Sequence, residues 1–182
     1  EVGRDPKYPL FDGTYIWTVD ARELNLYRVH AETGETDALS LGGSPQQPVF
    51  AARQLWIAES ENGQLFQIDP VSLSIIQTMK IGTRLHLLTQ AGDWLWGAGA
   101  GANGQNEIIQ IDLSNGTIRQ RIPVSQPVRA LCVHDDTLWV YENGQDVYTL
   151  DLDTYERKFT VANVNAHRLS EPVFTPDYTW IA

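Results

Sequence analysis

The feature that most constrains the fold is a tryptophan that returns at a nearly fixed interval. Trp17, Trp56, Trp96, Trp139 and Trp180 sit in matching apolar runs, Ile16–Val19, Leu55–Ala58, Leu95–Ala98, Leu138–Tyr141 and Thr179–Ala182, spaced by 39, 40, 43 and 41 residues. A second apolar run follows the first four of these: Leu26–His30, Leu65–Asp69, Ile108–Asp112 and Val147–Asp151. Upstream, Pro9-Leu10-Phe11, Pro48-Val49-Phe50 and Pro172-Val173-Phe174 share one offset. Segments such as Ser74–Met79 and Thr117–Ile122 supply a fourth strand, and Glu61-Asn62-Gly63, Ser114-Asn115-Gly116 and Glu142-Asn143-Gly144 supply turns. No stretch sustains a 3.6-residue period, so almost no helix is expected. Four short antiparallel strands in a repeat of roughly 40–45 residues predict an all-β fold of β-propeller blades. A blade is covered by a neighbour on each face, so Leu or Ile can face one and Trp the other, and the five Trp residues read as core.

The expected blades span about residues 7–43, 44–82, 83–124 and 125–162, with a half-blade at 163–182, in a single domain over 1–182. Both ends supply the same first-and-second-strand pair, at residues 9–19 and 172–182, so neither completes the other. The reading is therefore a fragment of a ring of roughly six to eight blades, whose remaining blades or a further domain belong to a larger protein. Closure by an irregular route or by dimerisation is the alternative, since unpaired strand edges would otherwise be left bare.

Composition sets the partners that fit. The 182 residues carry 23 acidic and 13 basic side chains for a formal charge of −10, which argues against nucleic acid, whose affinity comes from Lys and Arg on phosphates. No run approaches the roughly 20 apolar residues of a membrane span. Cys132 is the single cysteine, so no internal disulfide can form, and between Leu131 and Val133 it reads as an inert buried thiol. The chain opens at Glu1 without an initiator Met or a leader-like segment, which suits a processed protein or an excised domain, and together with the abundance of Gln, Asn and Trp this leans toward a periplasmic or secreted setting, with a cytoplasmic one as the alternative.

Leu55-Trp56-Ile57-Ala58-Glu59-Ser60 followed by Gly63-Gln64-Leu65-Phe66-Gln67-Ile68-Asp69-Pro70 resembles the repeats of YVTN-type and streptogramin-lyase-like bacterial β-propellers, a quinoprotein-like superfamily. The resemblance runs over nearly the whole chain. It implies the blade and leaves function open, because that superfamily holds lyases, lactonase-like enzymes, sensor domains and scaffolds without catalysis. The YVTN tetrapeptide is absent, and the lyase's catalytic His and Glu match no motif here, so no catalytic residue and no cofactor is carried over.

Several motifs have two readings. Gly99-Ala100-Gly101-Ala102-Asn103-Gly104 matches the dinucleotide pattern G-x-G-x-x-G, but a strand follows it and no acidic ribose partner lies about twenty residues on, so it reads as a long loop between second and third strands. Asp69, Asp112 and Asp151 each end a third strand and read as turn caps rather than a carboxylate array, as does His30 in the same slot. His134-Asp135-Asp136 is a tight turn or a ligand cluster, and Asn115-Gly116-Thr117 is a hairpin turn or a glycosylation acceptor.

One pattern stands above that background. At the entrances to the first strands lie Lys7 and Tyr8, Gln46 and Gln47, Arg84 and His86, Gln126 and Arg129, and His167, Arg168 and Glu171. In a propeller these entrances line the central opening, so Gln47, Arg84, His86, Arg129, Arg168 and Glu171 form a candidate pocket for an anionic group, with Arg donating forked hydrogen bonds. Pairing of the arginines with Glu171 or simple solvation is the other reading. The expected function is a recognition or scaffold domain without catalysis, binding a protein, peptide or small anionic ligand near the axis, with no cofactor or metal. A lyase or lactonase-like enzyme with part of its site outside this chain is the alternative.

Overall fold

The computed structural model describes residues 2–134, 137–143 and 147–161, together with the backbone of two short strands beyond them. Every regular element among these is a strand. The first sheet holds β1 (Pro6–Phe11), β2 (Tyr15–Asp20), β3 (Asn25–His30) and β4 (Thr36–Ser40). The second holds β5 (Pro45–Ala51), β6 (Gln54–Glu59), β7 (Gln64–Asp69) and β8 (Ser74–Lys80), and the third β9 (Thr83–Ala91), β10 (Trp94–Gly101), β11 (Asn106–Asp112) and β12 (Ile118–Pro123). The fourth holds β13 (Val128–His134), β14 (Thr137–Glu142), β15 (Val147–Asp151) and β16 (Arg157–Val161), and β17 (Val173–Phe174) pairs with β18 (Thr179–Trp180). Within each of the four sheets the strands lie in chain order, each antiparallel to the next. The chain divides into two compact units, Glu1–Leu88 and Thr89–Ala182.

The second strands show why the repeat folds this way. In β6, Leu55, Trp56, Ile57, Ala58 and Glu59 are all buried, so both faces of the strand are covered, whereas β8 exposes all its residues but Met79. Within the first unit, Trp17, Val19 and Leu26 of one sheet join Leu55, Ile57, Phe66 and Ile68 of the next in one core, and the Trp17 ring meets Phe50 edge-on across that junction. Trp56 and Trp96 are equally buried. Trp139 departs from the expectation and is half-buried, because its ring meets Phe159, itself 55% exposed. The Trp180 side chain lies outside the described residues.

Two further expectations change. The glycine run at 99–104 is not all loop: β10 continues through Gly101, pairing Gly99 with Glu107 and Ala100 with Asn106, and only Ala102–Gln105 turn the chain. Small residues allow it, since a side chain at Gly101 would crowd the Glu107 carboxylate. Cys132 is half-buried rather than sealed in the core, because it lies on the less covered outer half of β13.

Candidate functional site

Three first strands break register at the entrances singled out by the sequence. In the first sheet Lys7 pairs with Val19 and Leu10 with Trp17, so Tyr8 and Pro9 together oppose Thr18. In the second, Pro45 pairs with Glu59 and Pro48 with Ile57, so Gln46 and Gln47 oppose Ala58. In the fourth, Arg129 is the extra residue between Val128 and Ala130, whose partners Glu142 and Tyr141 are adjacent. Such a bulge frees one residue from the ladder, bends the strand and redirects its side chain. The first bulge is pinned by the buried Thr18, whose hydroxyl donates to the Lys7 carbonyl at 2.8 Å, and it holds the exposed Tyr8 at φ 56°, a left-handed conformation that L-residues disfavour.

Of the expected site residues, Gln47 is half-buried on the β5 bulge, Arg84 is exposed on β9, His86 is half-buried two residues further on, and Arg129 is exposed on the β13 bulge. Gln46, beside Gln47, spends its amide on the Ser44 carbonyl and the Ser60 hydroxyl, each at 3.1 Å. Gln47, Arg84 and His86 belong to the first unit and Arg129 to the second. Arg168 and Glu171 lie outside the described residues, as do Asp135 and Asp136 of the His134 turn.

Immediately beneath these bulges sits a group that the repeat reading missed. The third residue after the Trp is a carboxylate in three sheets, Asp20, Glu59 and Glu142, each at most 1% exposed. Asp20 accepts the N–H of Asp5 at 2.6 Å with one oxygen, and those of Arg22 and Glu23 at 2.7 and 2.8 Å with the other. The N–H of Asp5 is the largest cause that draws its carboxyl down to about 2, with burial opposing and the two turn amides adding to the pull. Glu59 repeats the arrangement, accepting from Ser44 at 3.1 Å, Glu61 at 2.6 Å and Asn62 at 3.0 Å. Both carboxylates thereby tie the entrance of the first strand to the turn after the second. Gly3 and Gly43 leave the room they need, since a Cβ on either would overlap the carboxylate.

Glu142 also holds the entrance of its first strand, but ties it to β15 and β16 rather than to the following turn. The Ser125 hydroxyl and Gln126 N–H reach one oxygen at 2.7 and 2.8 Å, and the Tyr148 hydroxyl and Arg157 guanidinium reach the other at 2.7 and 2.8 Å. Burial alone would push this carboxyl up, but the four donors outweigh it and hold it below its ordinary range. The third sheet has Gly99 at this position. The signal was in the sequence as Trp-x-x-Asp or Trp-x-x-Glu, three times in four, beside the tryptophans used to set the register.

The turn carboxylates behave as expected. Asp69 accepts the N–H of Val71 at 2.8 Å, Asp112 that of Ser114 at 2.8 Å, and Asp151 those of Asp153 and Thr154 at 2.9 and 2.7 Å, while His30 Nδ1 faces the N–H groups of Glu32 and Thr33 at 3.3 Å. Each aspartate is held below its usual range, led in Asp69 by the Val71 N–H, in Asp112 by the Ser114 hydroxyl and in Asp151 by Lys158. Among the described residues no three His, Cys, Asp or Glu side chains gather as a metal site would require.

The crystal structure of Saccharomyces cerevisiae Sqt1 matches with a TM-score of 0.72 at 14% identity, over 86% of this chain. The fold is that of a β-propeller. In all, 1041 solved chains match, which makes the likeness one of fold and not of activity. The chain spans about half of Sqt1, 48% of its length. No family model matches the chain, and no curated protein does.

Proposed function

We propose that this propeller is a recognition scaffold that binds a protein partner, or a small anionic group, at the entrance end of its blades. The observation that carries this reading is the bulging of the first strands at that end. The bulges take Tyr8, Gln47 and Arg129 out of the ladder, on blades whose buried carboxylates are already committed to backbone and side-chain donors. Committed carboxylates stiffen the frame and are poorly placed to move protons, which favours binding over catalysis. The propeller fold of Sqt1 fits a protein-interaction scaffold. The anion-binding set Gln47, Arg84, His86, Arg129, Arg168 and Glu171 belongs to the proposal, with Arg supplying forked donors. So does the YVTN-type and streptogramin-lyase-like subtype, supported by residues 55–70.

The test is quantitative affinity capture from extracts of the source cells, with the full chain as bait beside a Gln47→Ala, Arg129→Ala double variant. A partner enriched by the parent chain and lost from the double variant is the expected result. Capture indifferent to the two substitutions, or turnover of a lactone or ester panel abolished by them, overturns the proposal.

A further inference from the structure

The first unit carries a cleft of about 600 Å³ at the opposite end of its two sheets, where first strands hand over to second strands and third to fourth. Leu10, Phe11, Tyr15, Phe50, Arg53 and Val71 line it. Two of its walls are apolar and bare: Phe11 is 60% exposed and Val71 83%. The cleft is also braced by hydrogen bonds across the two sheets. Arg28 reaches across from the first sheet to donate to the carbonyls of Pro70 and Val71 at 2.7 and 3.0 Å, while holding Asp37 at 2.6 Å and lying 4.9 Å from the centre of the Tyr15 ring.

Charge separates the occupants that fit. The Asp12 carboxylate is consumed by the N–H groups of Thr14 and Tyr15 and the Trp17 indole at 2.7 to 2.8 Å, and the Arg28 charge is met by Asp37. Arg53 is exposed at the rim and meets no carboxylate among the described residues, in a chain of net charge −10. It is held there by a two-residue turn between Ala51 and Gln54 in which both Ala52 and Arg53 have positive φ, 51° and 63°. That turn favours Asn-Gly. Four residues before the Trp, where this turn has Ala52, the first and third sheets have Gly13 and Gly92. The second sheet thus keeps a disfavoured turn that carries, among the described residues lining the cleft, the cation without a carboxylate partner.

We propose that this cleft docks a segment of a partner protein that presents an apolar side chain beside a carboxylate, the apolar group lying on Phe11 and Val71 and the carboxylate on Arg53. The site is independent of the bulges of β1 and β5, which lie toward the other end of the same two sheets. A small acid would leave Phe11 and Val71 largely uncovered, whereas a chain segment covers both walls and brings its own charge.

The probe is the blocked pentapeptide Gly-Leu-Asp-Phe-Gly, titrated into the isotope-labelled full chain while amide shifts are followed. Saturating shifts at Phe11, Thr14 and Val71 are expected, with affinity falling about tenfold when the peptide Asp is made Asn or when Arg53→Gln is introduced, as loss of one charge-assisted contact predicts. A second variant, Ala52→Asn with Arg53→Gly, relaxes the turn and is expected to melt higher than the parent while binding as weakly as Arg53→Gln. The proposal fails if the cleft amides do not shift at millimolar peptide, or if Arg53→Gln leaves the affinity unchanged. It fails equally if 3-phenylpropionate binds as tightly as the peptide, or if the shifts grow with protein concentration alone, which would make the occupant a small acid or a second copy.

Discussion

Glu59→Ala is expected to lower the unfolding free energy by about 3 kcal/mol, the range for breaking a buried charge-assisted network. The substitution removes the acceptor for the N–H groups of Ser44, Glu61 and Asn62 at once and leaves them facing a void where the carboxylate was. Alanine also ends the link between the entrance of β5 and the turn after β6, so the damage should reach the bulge that carries Gln47. Glu59→Gln keeps one acceptor oxygen and sets an NH₂ against backbone donors, so its loss should be intermediate. Urea unfolding of the parent and both variants checks this, and a loss below about 1 kcal/mol for Glu59→Ala would show that water replaces the carboxylate without penalty.

Gly43 supplies an internal control. Its φ of +57° and the absence of a Cβ let the Glu59 carboxyl lie against its backbone. Gly43→Ala should therefore destabilise through two effects, overlap with the carboxylate and a left-handed conformation that costs an alanine about 1–2 kcal/mol. Only the overlap depends on Glu59. In the Glu59→Ala background the same glycine substitution should lose just the conformational part, so the two changes couple by more than about 1 kcal/mol. Simple additivity would mean that Gly43 is retained for its turn alone.

The blades were legible because their signals are local and periodic. Trp17, Trp56 and Trp96 mark strands covered on both faces, and the turn roles of Asp69, Asp112 and Asp151 follow from a short acceptor placed before backbone amides. The caps at Asp20, Glu59 and Glu142 repeat just as regularly, but an acid at the end of a strand looks like a solvated one until the entrance of the first strand folds back over it. That closure is a contact over about fifteen residues, which no strand period encodes. The bulges were hidden for a related reason: Pro45-Gln46-Gln47-Pro48 reads as an entrance, but whether it inserts a residue into the ladder depends on the register of β6. The cleft with Arg53 was overlooked because Ala52-Arg53 gives no turn signal, its left-handed geometry being imposed by the pairing of Ala51 with Gln54.

Acid should unfold this chain in a window set by six carboxylates among the described residues. Asp12, Asp20, Asp69, Asp112, Asp151 and Glu142 are all held below their ordinary values, Asp20 at about 2. An unfolded Asp titrates near 3.9, so between the two values the unfolded chain binds the proton that the folded chain refuses, and stability falls as the pH falls. The contribution is complete above about pH 4 and is lost as the pH drops through about 2. Net charge acts differently: with an isoelectric point near 4.7, acidification from neutrality first relieves the mutual repulsion of the acidic surplus. The urea midpoint should therefore hold or rise slightly from pH 7 to about 5 and then collapse between about 4 and 2. Asp20→Asn separates the two effects, because it removes a proton-refusing group while changing the net charge by a single unit. Its midpoint should be lower than the parent's at pH 7 and should fall less steeply in acid. Parallel curves for the two proteins would assign the acid transition to net charge rather than to the caps.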